Sequence, residues 1–163
     1  MVLIALFIAC AAPKVAPDTP IAVQAVVVTP SVTESAAVSS LIKESLAADN
    51  VLSSPVSTDE AWATLGTSGH RSAWLVQQSG GAITLLIEAE ARRRATLGGR
   101  FQWEIHATVV VAKDTLPELT QTNVMRVTLP HSHQDETDAL TSAAPRIGQM
   151  AATMVRQFSG QDG

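Results

Sequence analysis

The chain is poor in cysteine and in aromatic residues. Its 163 residues include one cysteine, three tryptophans, three phenylalanines and no tyrosine. A single cysteine can form neither an internal disulfide nor a zinc site of several cysteines. So few aromatic rings provide little for the bases of single-stranded nucleic acid to stack on. The net charge of −4 gives no basic field that would attract nucleic acid, so we expect no nucleic-acid partner.

Motifs of common enzyme classes are also missing. The sequence contains no Gly-x-Ser-x-Gly nucleophile motif, no P-loop and no Gly-x-Gly-x-x-Gly fingerprint. We therefore expect no cofactor, and the sequence does not predict an enzyme. The length suits one domain with a core large enough to fold alone.

The first segment is an apolar run that ends near the only cysteine. Residues 1–12, MVLIALFIACAA, carry no charge. Twelve helical residues are too short for a hydrocarbon core of roughly 30 Å. The length fits the apolar region of a signal peptide, which runs about 7–15 residues. No Lys or Arg precedes the run, so we expect the translation start to lie upstream.

The residues Phe7-Ile8-Ala9-Cys10 resemble the bacterial lipobox, although Phe7 replaces the usual Leu. The resemblance implies a lipid on the thiol of Cys10, whose acyl chains would each contribute about 0.8 kcal/mol per buried methylene to anchoring. The alternative is a plain apolar N-terminus in which Cys10 is a small hydrophobic residue. Three prolines in residues 11–21 then favour an extended tether.

The hydrophobic pattern predicts an α+β domain over residues 22–160, after a signal peptide and lipobox (1–10) and the tether (11–21). An apolar strand at 22–30 precedes a helix capped by Ser31 and ended by Asn50, and a second strand follows at 51–56. These three elements predict a right-handed βαβ unit.

The rest of the domain is predicted to be a short helix at 57–66 capped by Ser57 or Thr58, a loop at 66–70, an antiparallel meander of three or four strands and a final helix. The meander strands are 73–78, 82–94, 101–112 and 121–130, with turns at 79–81 and 98–99. The last helix spans Leu140 to Phe158, with a kink at Pro145 or a restart at Ser142. The prediction is a two-layer sandwich: one mixed sheet covered on one face by two main helices.

This order of elements resembles the domain shared by the TolB amino-terminal region, the curli secretion lipoprotein and the lipoprotein activators of penicillin-binding proteins. The resemblance covers residues 22–158 and rests on element order without a diagnostic motif. It implies a non-enzymatic outer-membrane lipoprotein that faces the periplasm and binds an envelope protein or assembles with other copies. The chain is also similar to the lipopolysaccharide-assembly lipoprotein LptE, which implies a plug for a β-barrel partner.

Arg92, Arg93, Arg94 and Arg100 form the only dense group of positive residues, on both sides of the predicted 98–99 turn. They could contact the phosphate of a lipid head group, a glycan strand or an acidic partner. The alternative is a solvated hairpin tip on which Glu88 and Glu90 pair with the arginines across the strands.

His131 and His133 lie beside Asp135 and Glu136, and histidines two apart can ligate zinc or another transition metal. A metal-binding protein or metal-dependent hydrolase would need a third ligand, for which the sequence offers His70 or His106. The alternative is a polar turn in which Ser132 caps the last helix and the carboxylates favour its positive end.

Four polar residues alternate with apolar ones on two neighbouring strands: Glu88, Glu90, Glu104 and His106. Facing carboxylates can perform acid–base chemistry. Alternating charges are, however, the usual pattern on the wet face of an antiparallel sheet, so we expect a solvent-exposed face.

Overall fold

The chain forms one mixed sheet that carries helices. A computed structural model describes residues 19–29, 36–98, 100–114, 116–130 and 135–160. Within these ranges the elements are β1 (Ile21–Val28), α1 (Ala36–Ala48), β2 (Val51–Pro55), α2 (Glu60–Ala63), α3 (Ser68–Gln78), β3 (Ile83–Leu97), β4 (Arg100–Lys113), β5 (Leu116–Thr128) and α4 (Glu136–Ser159).

The strand order is β2-β1-β3-β4-β5. The strands β2, β1 and β3 run parallel, whereas β3, β4 and β5 form an antiparallel meander. The chain moves outward from β1 to β2 and then back across β1 to β3. If both crossovers are right-handed, as parallel crossovers almost always are, this reversal puts their helices on opposite faces.

The main core lies between one face of the sheet and the helices α1 and α4. Strand side chains at alternate positions point into it because successive residues of a strand face opposite sides. On β3 and β4 these include Leu85, Ile87, Ala89, Ile105, Ala107, Val109 and Val111. Every second residue of these strands therefore points to the other face.

The two helices of this layer lie very close together where they cross. Gly148 of α4 faces α1, and a Cβ atom added at Gly148 would lie 2.5 Å from Ser45 Cβ and 2.9 Å from the Ile42 carbonyl oxygen. Ala144, Ala151 and Ala152 of α4 are also buried. Small side chains on α4 thus let α1 and α4 share one face of the sheet.

A smaller cluster covers part of the second face. Trp62 of α2 and Leu75 of α3 are buried against Leu86 and Val110 of the sheet. The rings of Trp62 and Trp74 meet edge to face, with centroids 5.3 Å apart. This part of the second face is therefore apolar and covered.

The structure confirms the α+β sandwich, the parallel βαβ unit and the two main helices on one face. It also confirms the left-handed conformation of Asn50, whose φ is 57°. The predicted strand at 73–78 is wrong, because these residues belong to α3, and so is the loop at 66–70, because α3 begins at Ser68. Ser72 is a buried polar residue, which hid the helical spacing from Ser72 to Leu75.

Several predicted boundaries also differ. Asp59, rather than Ser57 or Thr58, caps α2 and accepts a hydrogen bond from the Trp62 amide. The helix α4 is continuous from its N-cap Asp135, so no new helix begins at Ser142. Pro145 lies on the exposed side of α4, where water can reach the carbonyl that loses its partner. No helix in the described ranges is long and apolar enough to cross a membrane.

The close crossing of α1 and α4 predicts that Gly148→Ala destabilises the protein. The added methyl group would overlap α1, and overpacking of this kind costs about 1–3 kcal/mol. Gly69→Ala in α3 is the matched control, because no atom lies within 4 Å of its added Cβ. Chemical denaturation should show a lower unfolding midpoint for Gly148→Ala and no loss for Gly69→Ala. Equal stability of both variants would contradict the close packing.

Candidate functional site

The second face of the sheet becomes polar beyond the cluster under α3. We call this area the polar face; its residues are Glu88, Glu90, Arg92 and Arg94 of β3, Gln102, Glu104, His106 and Thr108 of β4, and Thr120, Thr122, Val124 and Arg126 of β5. Cross-strand partners align them: Glu90 lies opposite His106, and His106 opposite Val124. The polar face spans three strands and displays both charges.

Glu104 is the centre of the polar face. Its residue is only 7% exposed, although it carries a carboxylate. The Arg94 guanidinium donates two hydrogen bonds to the carboxylate, each 2.9 Å long. Nε2 of His106 lies 2.9 Å from Oε1 of Glu104, at hydrogen-bonding distance. A buried charge is tolerated when it is paired in this way.

These contacts favour the ionised state of Glu104. The hydrogen bonds from Arg94 lower the pKa of the Glu104 carboxyl from its ordinary value of 4.5, and the hydrogen bond with His106 adds to the shift. A general acid or base that works near neutral pH needs a pKa close to that pH. The environment of Glu104 therefore favours a fixed structural charge over proton transfer.

Two further carboxylates extend the charged network. Glu90 accepts hydrogen bonds of 3.0 and 2.9 Å from Arg92, and this contact lowers the pKa of Glu90. Glu88 pairs with Arg71 of α3 at 2.5 Å and accepts a hydrogen bond from Ser68. The pairing of Glu88 with Arg71 ties the N-terminal part of α3 to the sheet.

The expected placement of the four polar residues is confirmed in part. Glu88, Glu90, Glu104 and His106 do share one face. The expectation of a solvent-exposed face is wrong for Glu88 and Glu104, whose side chains are 16% and 9% exposed. The reason is the set of long side chains around them: Arg71 reaches down from α3, and Arg94 lies over Glu104.

The arginine group is split between different contacts. Arg92 and Arg94 pair with carboxylates of the polar face, whereas the Arg93 guanidinium lies over the Phe101 ring, 5.2 Å from its centroid. Arg100 is exposed at the start of β4. Glu90 therefore pairs with Arg92 on its own strand, and not with an arginine across the hairpin. A free anion would compete with these carboxylates for Arg92 and Arg94.

Other predicted site residues lie elsewhere. Cys10, His131 and His133 lie outside the described residues. His70 is in α3 and His106 is in β4 beside Glu104. Within the described ranges, no cluster of three or more His, Cys, Asp or Glu side chains could hold a metal ion. The metal site on His131 and His133 stays a prediction.

A cleft that sequence reasoning missed opens at the carboxyl ends of β1 and β2. Its volume is about 330 Å³, and its lining includes Val27, Thr29, Ser40, Lys43 and Thr58. The chain leaves β1 for β2 and later returns to β3 on the other side, and clefts form where strand connections diverge in this way. The predicted βαβ unit could have indicated this cleft, but the sequence did not predict that β3 lies beside β1.

Comparisons with known proteins show the fold and no family. No family model matches the chain, and no curated protein matches it. A hypothetical protein from Chlamydia trachomatis superposes with a TM-score of 0.50 at 10% identity, over 85% of this chain and 96% of that one. This likeness shows the fold alone.

Two bacterial lipoproteins are also among the matched structures. A minor lipoprotein from Acinetobacter baumannii gives a TM-score of 0.42 at 15% identity, over 88% of this chain and 96% of that one. The rare lipoprotein B from Shewanella oneidensis gives 0.40 at 11% identity, over 85% and 95%.

The contacts of Glu104 predict a pH-dependent contribution to stability. A carboxyl whose pKa is lowered by folding stabilises the folded state above its unfolded pKa, and this contribution is lost as the pH falls through the folded pKa. Urea unfolding at pH 7 should therefore show Glu104→Gln less stable than the parent protein. The difference should shrink as the pH falls below 4.5, the ordinary value for this group.

Glu90→Gln is the matched control for this experiment. Its carboxylate also pairs with an arginine, but its side chain is 39% exposed. Exposed ion pairs contribute little because water screens them and both side chains lose freedom. The loss at pH 7 should therefore be smaller for Glu90→Gln. A difference between Glu104→Gln and the parent that stays constant with pH would contradict the assigned charge state.

Proposed function

We propose that the chain is a lipid-anchored, non-catalytic protein of the bacterial outer membrane that faces the periplasm and binds another envelope protein. The observation that carries this proposal is the lipobox-like sequence ending at Cys10, followed by the proline-containing tether. The fold supports it, because β1 begins at Ile21, where the tether ends. A folded domain on a lipid tether is suited to holding a partner near a membrane.

The direction of the strands orients the domain relative to such an anchor. The strands β1 and β3 run parallel, with Val23 opposite Ile83. From Ile83 to Leu97 the strand advances fourteen residues, which is roughly 45 Å at the usual rise per residue. The β3–β4 hairpin therefore extends away from the anchored end, and it carries part of the polar face with it.

The polar face is the surface we assign to partner binding. Its carboxylates are held by arginines, so a partner would meet charges in fixed positions. Fixed charges reduce the cost of ordering side chains on binding and favour partners of matching charge. Val124 adds an exposed apolar side chain, which a partner can bury.

Lipid attachment can be tested directly at Cys10. Mass spectrometry of the native protein should find Cys10 as the first residue with a diacylglycerol thioether, and Cys10→Ser should move the protein out of the membrane fraction. Two acyl chains hold a protein firmly, which is the reason for the expected change in fraction. A free thiol at Cys10 in the native protein would refute the anchor.

The partner can be found by crosslinking in intact envelopes. The parent protein should capture an envelope protein, and Cys10→Ser, which keeps the same domain, should capture less of it. Arg92→Glu would reverse a charge on the polar face and should also reduce capture. Capture that is unchanged in Arg92→Glu would argue against the polar face as the binding surface.

A second candidate is an LptE-like role in lipopolysaccharide assembly, favoured by the four arginines near one hairpin. The lipid A phosphates would have to displace Glu90 and Glu104 from Arg92 and Arg94. Replacing Arg92, Arg93, Arg94 and Arg100 by Gln should weaken binding of lipid A, with Arg146→Gln on the exposed side of α4 as the control. Unchanged lipid A binding would rule this role out.

A further inference from the structure

The two outer strands of the sheet differ in their capacity to pair with another chain. The strand β2 has five residues and ends in Pro55, which has no amide hydrogen to donate. The strand β5 has thirteen residues, and only β4 pairs with it in the described structure. Long unpaired edges are sites where a second strand can add, unless charge, proline or a bulge protects them.

The proline and the irregular pairing of β5 are confined to its beginning. Pro117 lies there, and the register with β4 shifts between the pairs Val111–Leu119 and Lys113–Leu116. From Leu119 to Thr128 the pairing with β4 is regular, without proline. The two large apolar side chains that are exposed in the described ranges both lie on outer strands: Leu52, 53% exposed, and Val124, 48% exposed.

The sequence of β5 suits antiparallel pairing with a second copy of the same strand, in which residues equally far from Thr122 lie opposite each other. Glu118 and Arg126 are the only charged residues of β5, and each lies four positions from Thr122. In an antiparallel pair of two β5 strands centred on Thr122, Glu118, which directly precedes the regular stretch beginning at Leu119, falls opposite Arg126 of the other copy. Opposite charges at directly paired positions stabilise a sheet, and like charges destabilise it.

The other pairs of this register also match by face. Thr120 falls opposite Val124 on the polar face, so each exposed Val124 gains a neighbour. Leu119 falls opposite Met125 on the helix-covered face, where both already pack against the core. The register therefore places Leu119 beside Met125 and Gln121 beside Asn123 on the covered side, and it gives the exposed valine a cross-strand neighbour.

Glu118 and Arg126, the charged side chains near the two ends of this register, are both exposed and can pair with another copy. Arg126 lies opposite Glu104 on β4, but the Glu104 oxygens already accept from Arg94 and lie at hydrogen-bonding distance from His106. The structure gives Arg126 no ion pair within the described residues. Glu118 is exposed and accepts one hydrogen bond, from Thr120 on its own strand. An ion pair between copies would thus use groups that the single chain leaves exposed.

We infer that β5 pairs with β5 of a second copy in this antiparallel register, which forms a two-fold symmetric dimer with a continuous ten-stranded sheet. The same patch serves both copies, as a two-fold interface requires. The inference rests on the edge strand alone and does not depend on the lipid anchor or on an envelope partner.

A charge-exchange experiment tests the register. The full-length protein in mild detergent should sediment as a dimer, and Glu118→Arg should weaken the dimer about tenfold, because two ion pairs become two repulsions. Arg126→Glu should weaken it similarly, and the double variant should restore it. Circular dichroism would verify that each variant is folded. A parent protein that stays monomeric at every attainable concentration, or a double variant weaker than both single variants, would overturn the inference.

A disulfide test covers the case in which Arg126→Glu fails to fold because it faces Glu104. In a full-length Cys10→Ser background, Thr122→Cys places two thiols opposite each other across the two-fold axis, where paired Cβ atoms lie about 4.5–5.5 Å apart. Mild oxidation should give a covalent dimer. Thr108→Cys, on the inner strand opposite Thr122, is the control and should stay monomeric. Equal crosslinking at both positions would overturn the register.

Discussion

The burial of one face of β3 and β4 under α4 determines most of the structure. Leu85, Ile87, Val109 and Val111 are fully buried in the main core. Because side chains alternate along a strand, fixing these positions in the core fixes Glu88, Glu90, Glu104 and His106 on the other face. A shift of register by one residue would bury the charges and expose the aliphatic side chains. The polar face is therefore a consequence of the packing on the opposite side of the sheet.

The close crossing of the two main helices has a similar consequence. Gly148 lets α4 lie against α1, so that both helices fit on one face of the sheet. The helix α1 then lies over β2, and α4 lies over β3, β4 and β5. The second face has only the short helices α2 and α3 within the described ranges, and beyond their contacts with Leu86 and Val110 that face carries mostly polar and charged side chains. The length of α4, 24 residues, lets it cover more of its face of the sheet than α2 and α3 cover of the other.

The sequence predicted the elements that have a clear hydrophobic pattern, including the apolar run of β1, and missed α3. Alternation of polar and apolar residues predicted β3 and β4, and the last helix was predicted from Leu140 to Phe158, within the observed α4. The helix α3 was mistaken for a strand because its buried face contains Ser72 as well as Leu75. The burial of Glu104 could not be predicted, because it requires Arg94, ten positions earlier in the chain, to lie across a hairpin. Tertiary neighbours decide such details, and a local pattern does not contain them.

The outer strand β5 connects the packing of the sheet with the surfaces proposed for binding. Its covered side contributes Met125 and Leu119 to the main core, and its other side contributes Val124 and Arg126 to the polar face. Its outer edge has no partner in the described chain. Pairing between two copies would place the two polar faces side by side on one side of a continuous sheet. A partner that binds the polar face would then meet two copies of the same charge pattern, and binding both at once would strengthen attachment without any new kind of contact. Self-association uses the outer edge of β5 and partner binding its polar face, and Val124 and Arg126 contribute to both.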